Sequence, residues 1–161
     1  MTSSSDLEQI ETRTLSLVED FSFLHVDDAV ADSCRPVADA VARQAVTSSE
    51  GGKRLRALLT LDAFRAFASP DVLERDMDAV LDLACAIEVF KTGAMVYDDI
   101  IDDSDLRRGK PSAHRALAAD THSDEIGHGL GIMLGDMLAT ASVDIANAAA
   151  GRLSTGASVV S

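Results

Sequence analysis

Cysteine is scarce in this chain, with only Cys34 and Cys85 among its 161 residues. The two lie 51 positions apart without a Cys-x-x-Cys motif. Each falls in an apolar helical pattern, where a buried free thiol is the usual finding. We therefore expect two unpaired thiols and a reduced, cytoplasmic compartment.

Basic residues are also few. The 14 lysines and arginines are outnumbered by 27 aspartates and glutamates, which leaves a formal net charge of −13 at pH 7. A surplus of this size repels nucleic acid and anionic membrane surfaces over most of the protein. We therefore expect neither as a general partner.

Long apolar runs are absent as well. The N-terminus, MTSSSDLEQ, has neither the basic nor the apolar region of a secretory signal peptide. No uninterrupted apolar stretch approaches the roughly 20 residues that span a bilayer. We expect a soluble protein without stable membrane insertion. With 47% hydrophobic residues, the chain is long enough for one domain with a core.

Strand patterns of convincing length are missing too, so the sequence predicts an all-α fold. Apolar residues recur instead at helical spacing. The predicted helices cover residues 6–21, about 27–46 with a bend at Pro36, 53–68, about 72 or 76 to 103, 114–120 and 125–150, the last capped by Ser123 or Asp124. In the third helix, the residues expected to be buried are Leu55, Leu58, Leu59, Ala63 and Phe67.

Three glycines lie four apart on the last predicted helix, at Gly127, Gly131 and Gly135. Residues at this spacing share one helix face. No strand precedes them, as a phosphate-binding glycine loop would require. The spacing therefore predicts close packing against a neighbouring helix.

Five aspartates end the long predicted helix, in DDIIDDSD at 98–105. Asp98 and Asp99 lie four and three positions before Asp102, so on a helix the three carboxylates are expected to fall on one side. Their mutual repulsion costs about 0.2–0.5 kcal/mol per pair at the negative end of the helix dipole. Mg²⁺ is the simplest ion to offset this repulsion. It binds through one or two carboxylates plus substrate phosphates, so a phosphate-bearing ligand is implied.

Two short segments hold six of the 14 basic residues, KRLR at 53–56 and RRGK at 107–110. Arginine binds phosphate oxygens bidentately, and lysine binds them as a point charge. Each segment alone could equally form surface salt bridges, worth about 0–1 kcal/mol apiece. Together, beside an acidic cluster and a Gly-Gly loop, they indicate a phosphate site. Lys91, two helical turns before Asp98, either extends to the surface or supplies a third cation.

The segments GGKRLR at 51–56, DDIID at 98–102 and RRGKP at 107–111 resemble, in this order and spacing, the first half of trans-type polyprenyl diphosphate synthases. The resemblance covers about residues 20–145. It implies an all-α helical bundle of the isoprenoid synthase type, usually homodimeric. Such enzymes condense isopentenyl diphosphate with an allylic diphosphate and depend on Mg²⁺. We expect residues 1–161 to form one partial domain, with 1–5 and 151–161 disordered.

The resemblance also implies roles for individual residues. Those implied to bind isopentenyl diphosphate are Lys53, Arg56, Lys91 and Arg108. Those implied to act on the allylic diphosphate are Arg107 and the aspartates Asp98 and Asp102, which would hold Mg²⁺, with Asp99 assisting. The small residues Gly93 and Ala94 would leave room for a long product, geranylgeranyl diphosphate or longer. Departures from the family pattern are Lys91 and Tyr97, each in place of a common His, and Ala57 in place of a common Pro.

The resemblance is incomplete, because no second aspartate-rich motif and no Lys-Thr pair follow Asp136. Members of the family are about twice as long as this chain. We therefore expect a truncated member that has little or no prenyl transfer activity alone. Alternatives are a non-catalytic or regulatory partner subunit of such a synthase, an inactive fragment, and a terpene cyclase. The two basic segments disfavour the cyclase.

Overall fold

The computed structural model describes residues 4–24 and 30–153, and within these residues the fold is all-α, as predicted. A two-stranded hairpin is the exception. The helices are α1 (Ser4–Leu24), α2 (Arg35–Ser49), α3 (Leu55–Phe67), α4 (Pro70–Ile101), α5 (Ala113–Thr121) and α6 (Asp124–Arg152). The hairpin strands are β1 (Leu106–Arg107) and β2 (Lys110–Pro111).

Helices α4 and α6 form the centre of the bundle and run antiparallel. Gly93 of α4 lies against Leu138 of α6, whereas Ile100 lies against Gly131. A Cβ atom added at Gly127 would lie 2.4 Å from Ala118. A Cβ atom there or at Gly131 would therefore overlap α5, which confirms the predicted close packing of the glycine face. The main apolar core of the described residues includes Val89, Val96, Leu130, Leu134 and Leu138.

Helix α6 is long and apolar enough, by length and composition alone, to cross a membrane. Its buried residues pack within the main core. Ser123 caps its start, accepting a hydrogen bond from Ile126 N at 3.3 Å, as one of the two predicted caps. Both this helix and α1 extend into segments that were expected to be disordered, since α1 begins at Ser4 and α6 ends at Arg152. The remainder of those segments lies outside the described residues.

A buried aspartate joins three helices away from the candidate site. Asp82 of α4 accepts hydrogen bonds from Arg13 of α1, at 2.5 and 2.8 Å, and from Arg152 at the end of α6. Burial alone would raise the pKa of Asp82, but the two guanidinium groups lower it below its ordinary value. The pairing fixes the end of α6 to the first helix.

The two cysteines differ in their surroundings. Cys85 is fully buried, as predicted, and burial raises the pKa of its thiol to about 11. Cys34 is exposed, so the prediction of a buried thiol was wrong there. The reason is that α2 begins only at Arg35, with Pro36 in its first turn, where a missing backbone N–H costs nothing. The predicted start of this helix at residue 27 lies outside the described residues, and residues 30–34 are not helical.

The predicted buried face of α3 was wrong except at Leu58, which packs against the core, and Ala63 is exposed. Leu55, Leu59 and Phe67 are 58%, 67% and 91% exposed, whereas Ala57 and Leu61 are buried against α1 and α4. Apolar residues occur around most of this helix, so their spacing did not identify the inward face. A polar contact helps to set it, because the backbone N–H of Ala57 points to the buried carboxylate of Glu88 at 3.4 Å.

The segment between α4 and α5 was predicted to be a turn and contains a hairpin. Arg107 pairs with Lys110, and the connecting residues Arg108 and Gly109 both have positive φ, at 53° and 77°. Positive φ at both central positions matches the twist of antiparallel strands. Glycine adopts this conformation without strain. The hairpin places three basic side chains on one short, defined support.

Candidate active site

A cavity of about 350 Å³ lies between the end of α2, the loop at residues 50–54, α4 and the hairpin. Five cationic side chains line it, Arg54, Lys91, Arg107, Arg108 and Lys110, with three acidic ones, Glu50, Glu88 and Asp99. The formal charge of this lining is therefore +2. In a chain of net charge −13, a cationic cavity attracts a concentrated negative charge such as a diphosphate.

The two basic segments meet at this cavity. Arg108 donates a hydrogen bond from Nη1 to the backbone oxygen of Glu50 at 2.6 Å, and Lys110 pairs with the carboxylate of Glu50 at 2.8 Å. Gly52 makes the approach possible, because a Cβ atom there would lie 3.1 Å from Arg108 Nη2 and its φ is +104°. The Gly-Gly loop therefore forms one wall and the hairpin the adjacent wall.

The first basic segment divides into two kinds of residue. Arg54 is 3% exposed and donates to Glu11 Oε2 at 2.7 Å and to the backbone oxygen of Ser49. Lys53 and Arg56 are exposed, form no ion pair with the described residues and do not line the cavity. Arg54 thus holds the loop in place. Lys53 and Arg56, two of the four residues implied to bind isopentenyl diphosphate, are left free beside it.

Lys91 lines the cavity. Its side chain could have extended to the surface, but in the structure it faces the cavity. Its side chain is 29% exposed, and its Nζ lies 3.9 Å from Glu88 Oε2, one helical turn earlier. Lys91 can therefore contribute a positive charge to the cavity.

The three aspartates of DDIID do not converge. Asp99 is 4% exposed and pairs with Arg107, whose Nε lies 3.0 Å from each carboxylate oxygen and whose Nη2 makes a further bond. The hydrogen bond to Asp99 raises the pKa of Arg107. Asp98 and Asp102 are exposed. Successive residues on a helix point about 100° apart, and the helix ends before Asp102, so Asp99 faces the hairpin alone.

The other two acids of this stretch are bound by a residue that the sequence reading missed. Arg115 of α5 lies 2.8 Å from an oxygen of Asp103 and 2.9 Å from one of Asp105. Of the five aspartates at 98–105, Asp98 and Asp102 are the two that have no cationic partner within 4.0 Å among the described residues. The signal available in the sequence was a lone arginine ten positions after the last aspartate, which is too weak to assign.

Asp98 and Asp102 suit Mg²⁺. They lie one turn apart, where the N–H of Asp102 bonds to the backbone oxygen of Asp98 at 2.9 Å. Nowhere in residues 4–24 and 30–153 are three or more His, Cys, Asp or Glu side chains grouped to hold a metal by themselves. Two free carboxylates without a third ligand fit an ion that keeps several waters and takes further oxygens from phosphate.

The residues implied to control product length lie apart from the cavity. Gly93 faces α6, where a Cβ atom would lie 3.1 Å from the backbone oxygen of Gly135 and 3.3 Å from the Cβ of Leu138. Ala94 is exposed, on the same face of α4 as Asp98. A large side chain at position 93 would disturb the packing of α4 on α6, so only Ala94 offers a clean test of product length.

Tyr97, which stands where the family commonly has His, supports the end of α4. Its ring lies over Gly135, and its hydroxyl donates to the carboxylate of Asp136. This hydrogen bond and the neighbouring charge raise the pKa of Tyr97. The contact fixes the residue next to Asp98 against α6.

The chain is similar to proteins of one known family. Residues 38–158 match the family model for polyprenyl synthetase. The chain is 39% identical over 92 residues to a farnesyl diphosphate synthase of Geobacillus stearothermophilus, covering 56% of this chain and 26% of that protein. It is 32% identical over 120 residues to a geranylfarnesyl diphosphate synthase of Natronomonas pharaonis, covering 60% and 35%.

A solved structure is similar over nearly the whole chain. This is geranylgeranyl pyrophosphate synthase from Corynebacterium glutamicum, in complex with isoprenyl diphosphate and magnesium. The TM-score is 0.75 at 30% sequence identity, over 92% of this chain and 42% of that one. The chain thus spans less than half the length of these relatives. With three quarters of its residues matched by the family model, it belongs to the polyprenyl synthetase family.

Proposed function

We propose that the protein containing these residues is a prenyltransferase that condenses isopentenyl diphosphate with an allylic diphosphate. The observation that carries the proposal is the cavity lined by five cations from the loop at residues 50–54, α4 and the hairpin. Asp98 and Asp102, exposed at the end of α4, lie outside that lining. A diphosphate needs several cationic donors at once, which this wall offers. The named relatives are synthases of prenyl diphosphates, which supports the same substrate class.

The cationic side chains act on the leaving diphosphate. As the allylic C–O bond breaks, both its electrons leave with the diphosphate, and positive charge develops on the allylic carbons. Arg107 and Lys110 stabilise the departing anion because they are already held at the cavity wall and need little rearrangement, whereas Arg108 and Lys91 are kept for the diphosphate of the isopentenyl substrate. Arg107 keeps only part of its guanidinium free, since Asp99 occupies Nε and Nη2. Asp99 therefore orients Arg107 instead of assisting a metal.

Asp98 and Asp102 are the residues that would hold Mg²⁺. When bound, the ion supplies positive charge that neutralises diphosphate oxygens. The contribution of this chain is to keep both carboxylates free of competing cations, because Arg107 and Arg115 are engaged by the other acids of the stretch.

The apolar part of the cavity protects the reacting carbons. Met95, Val96 and Ala113 line it beside the charged residues, and such walls exclude water that would capture the allylic cation. The double bond of isopentenyl diphosphate then attacks the cation, forming the new carbon–carbon bond. The adjacent carbon loses a proton to the released diphosphate, which restores a double bond. No nucleophilic side chain is required.

The proposed product is geranylgeranyl diphosphate or longer. Ala94 lies one turn before Asp98 on the same face of α4 and is small. A chain growing along this face from a diphosphate near Asp98 would meet no bulky side chain at position 94. In a complete enzyme, replacing Ala94 with Phe should shorten the product, and chromatography of the extracted prenyl alcohols would measure this. An unchanged product length would remove Ala94 from this role.

A second candidate function is that of a subunit that supplies one half of such a site to another polypeptide. It is favoured by the apolar side chains that flank Asp98 on the exposed face of α4, where Phe90 is 57% and Ile101 79% exposed. The same face carries the proposed metal ligands. This candidate requires binding of a diphosphate without turnover by the chain alone.

The test measures binding and turnover with the same purified chain. Calorimetry with inorganic pyrophosphate and Mg²⁺ should detect binding that Asp98→Asn weakens about tenfold or more, since one of two ligands is lost. Asp144→Asn, an exposed acid on α6, is the matched control and should bind as the wild type does. Repeated transfer of labelled isopentenyl units to an allylic diphosphate would establish the enzyme. Binding without transfer is the result expected both of a partial synthase and of the subunit, and no binding would exclude both.

A further inference from the structure

Glu88 is a buried acid at the cavity that the proposed chemistry does not use. It lies on α4, is 1% exposed and lines the cavity. A buried carboxylate is costly unless cations or donors compensate its charge. An anion beside a site for an anionic substrate would also repel that substrate. Its presence therefore calls for a physical reason.

The contacts that the carboxylate of Glu88 makes with the described residues are longer than direct charge-assisted hydrogen bonds. Its Oε2 lies 4.0 Å from Arg54 Nη1 and 3.9 Å from Lys91 Nζ, and the backbone N–H of Ala57 lies 3.4 Å from Oε1. Direct bonds of this kind are about 2.7–2.9 Å long. Arg54 is already bonded to Glu11 at 2.7 Å. Lys91 has no other carboxylate within 4.0 Å among residues 4–24 and 30–153.

We propose that Glu88 is a positioning residue that holds the ammonium group of Lys91 at the cavity wall, ready to meet a diphosphate. The inference rests on the proposed function, because it assigns Lys91 to diphosphate binding. Lysine is flexible, with four carbons between backbone and charge. The two residues are three apart on α4, so they share a helix face. The long separation lets Lys91 move toward a ligand without breaking a close hydrogen bond.

Removing the charge of Glu88 has two opposite effects on a bound diphosphate. Repulsion between the two anions disappears, which strengthens binding whatever residue occupies position 91. The hold on Lys91 is also lost, which weakens binding only when Lys91 is present. A double-mutant cycle separates the two effects, since only the second depends on the partner.

The experiment measures the affinity of the full chain for inorganic pyrophosphate with Mg²⁺ by calorimetry, in the wild type, Glu88→Gln, Lys91→Met and the double variant. Glutamine keeps an oxygen to accept the N–H of Ala57. In the Met background, Glu88→Gln should strengthen binding. With Lys91 present, Glu88→Gln should not give the same increase. Its affinity for pyrophosphate should be about threefold to tenfold lower than the increase measured in the Met background would predict. Equal effects in both backgrounds would overturn the proposal.

Glu50→Gln is the matched control. Glu50 lines the same cavity, but its carboxylate pairs with Lys110. Its effect should be the same with Lys91 or Met at position 91, and a coupling as large as that of Glu88 would overturn the proposal. Circular dichroism establishes that each variant is folded, and Glu88→Met, which also removes the charge, replaces Glu88→Gln in the cycle if the latter unfolds. Absence of binding by the wild type would instead exclude the proposed function.

Discussion

The two basic segments have similar composition, yet the fold uses them differently. In the first, Arg54 is buried and bonded to Glu11, whereas Lys53 and Arg56 remain exposed and unpaired among the described residues. In the second, all three cations line the cavity, and each is held by the carboxylate or backbone of another residue. The comparison teaches that nearby carboxylates decide which cations support the site and which stay free for a ligand.

The largest expected effect comes from removing the buried cation of the first segment. Arg54→Met leaves Glu88 buried without its guanidinium neighbour and removes one of the two bonds between Glu11 and the loop, since the N–H of Gly51 still donates to Glu11 at 2.6 Å. Breaking a buried pair in this way costs about 3–5 kcal/mol of unfolding free energy. Urea unfolding followed by circular dichroism measures it. Arg56→Met is the control and should change stability by less than about 0.5 kcal/mol. Equal losses would contradict the division of this segment.

The next largest effect comes from removing the carboxylate charge of Asp99, which holds Arg107 of the second segment. Asp99→Asn removes the charge that binds Arg107 and should lower the free energy of unfolding by about 1–3 kcal/mol. It should also weaken pyrophosphate binding, because Arg107 loses its orientation. Asp105→Asn, whose carboxylate is exposed beside Arg115, is the matched control with a smaller loss. If Asp99→Asn left the free energy of unfolding unchanged, the ion pair between Asp99 and Arg107 would not contribute to stability.

The free cations of the first segment should affect binding without affecting stability. Replacing Lys53 and Arg56 together with Met removes two positive charges that contact no carboxylate. We expect pyrophosphate affinity to fall about tenfold, with a weaker dependence on salt. Calorimetry at two salt concentrations measures both. A fall in the unfolding midpoint, with affinity preserved, would show that these cations support the fold instead.

The smallest expected effect tests the contact between the Gly-Gly loop and the hairpin. Gly52→Ala introduces a Cβ atom 3.1 Å from Arg108 at φ +104°. Such a backbone conformation costs a residue with a side chain about 1 kcal/mol or more. Gly151→Ala, on an open part of α6, is the control. If Gly52→Ala matched it in stability, the loop would not need glycine for its approach to the hairpin.

The helical fold and the positions of the motifs could be predicted because they depend on short spacings. The glycine face of α6, the cap at Ser123 and the long helix ending near Asp102 all follow from residues three or four apart. Side chains at these spacings are neighbours on one helix, so such patterns do not depend on partners distant in sequence. They therefore located the cavity residues on the correct elements.

What could not be predicted depends on partners distant in sequence. Asp99 was grouped with Asp98 and Asp102, but Arg107 draws it to the hairpin. The sequence alone did not distinguish Arg54 from Lys53 and Arg56. In the structure Arg54 is buried and donates to Glu11, 43 positions earlier. The inward face of α3 was likewise set by contacts with other helices. Spacing identifies which side chains share a face, but only the tertiary packing identifies what that face meets.

The ring of Tyr97 above Gly135 has a mechanical consequence. With almost no space between α4 and α6 at this point, the helix end that bears Asp98 can shift only if α6 shifts with it. The hairpin is joined by just two paired residues on each strand, and short elements with few contacts open most easily. On binding the proposed diphosphate, we therefore expect the arginine-bearing hairpin to adjust, while the carboxylates on α4 stay fixed.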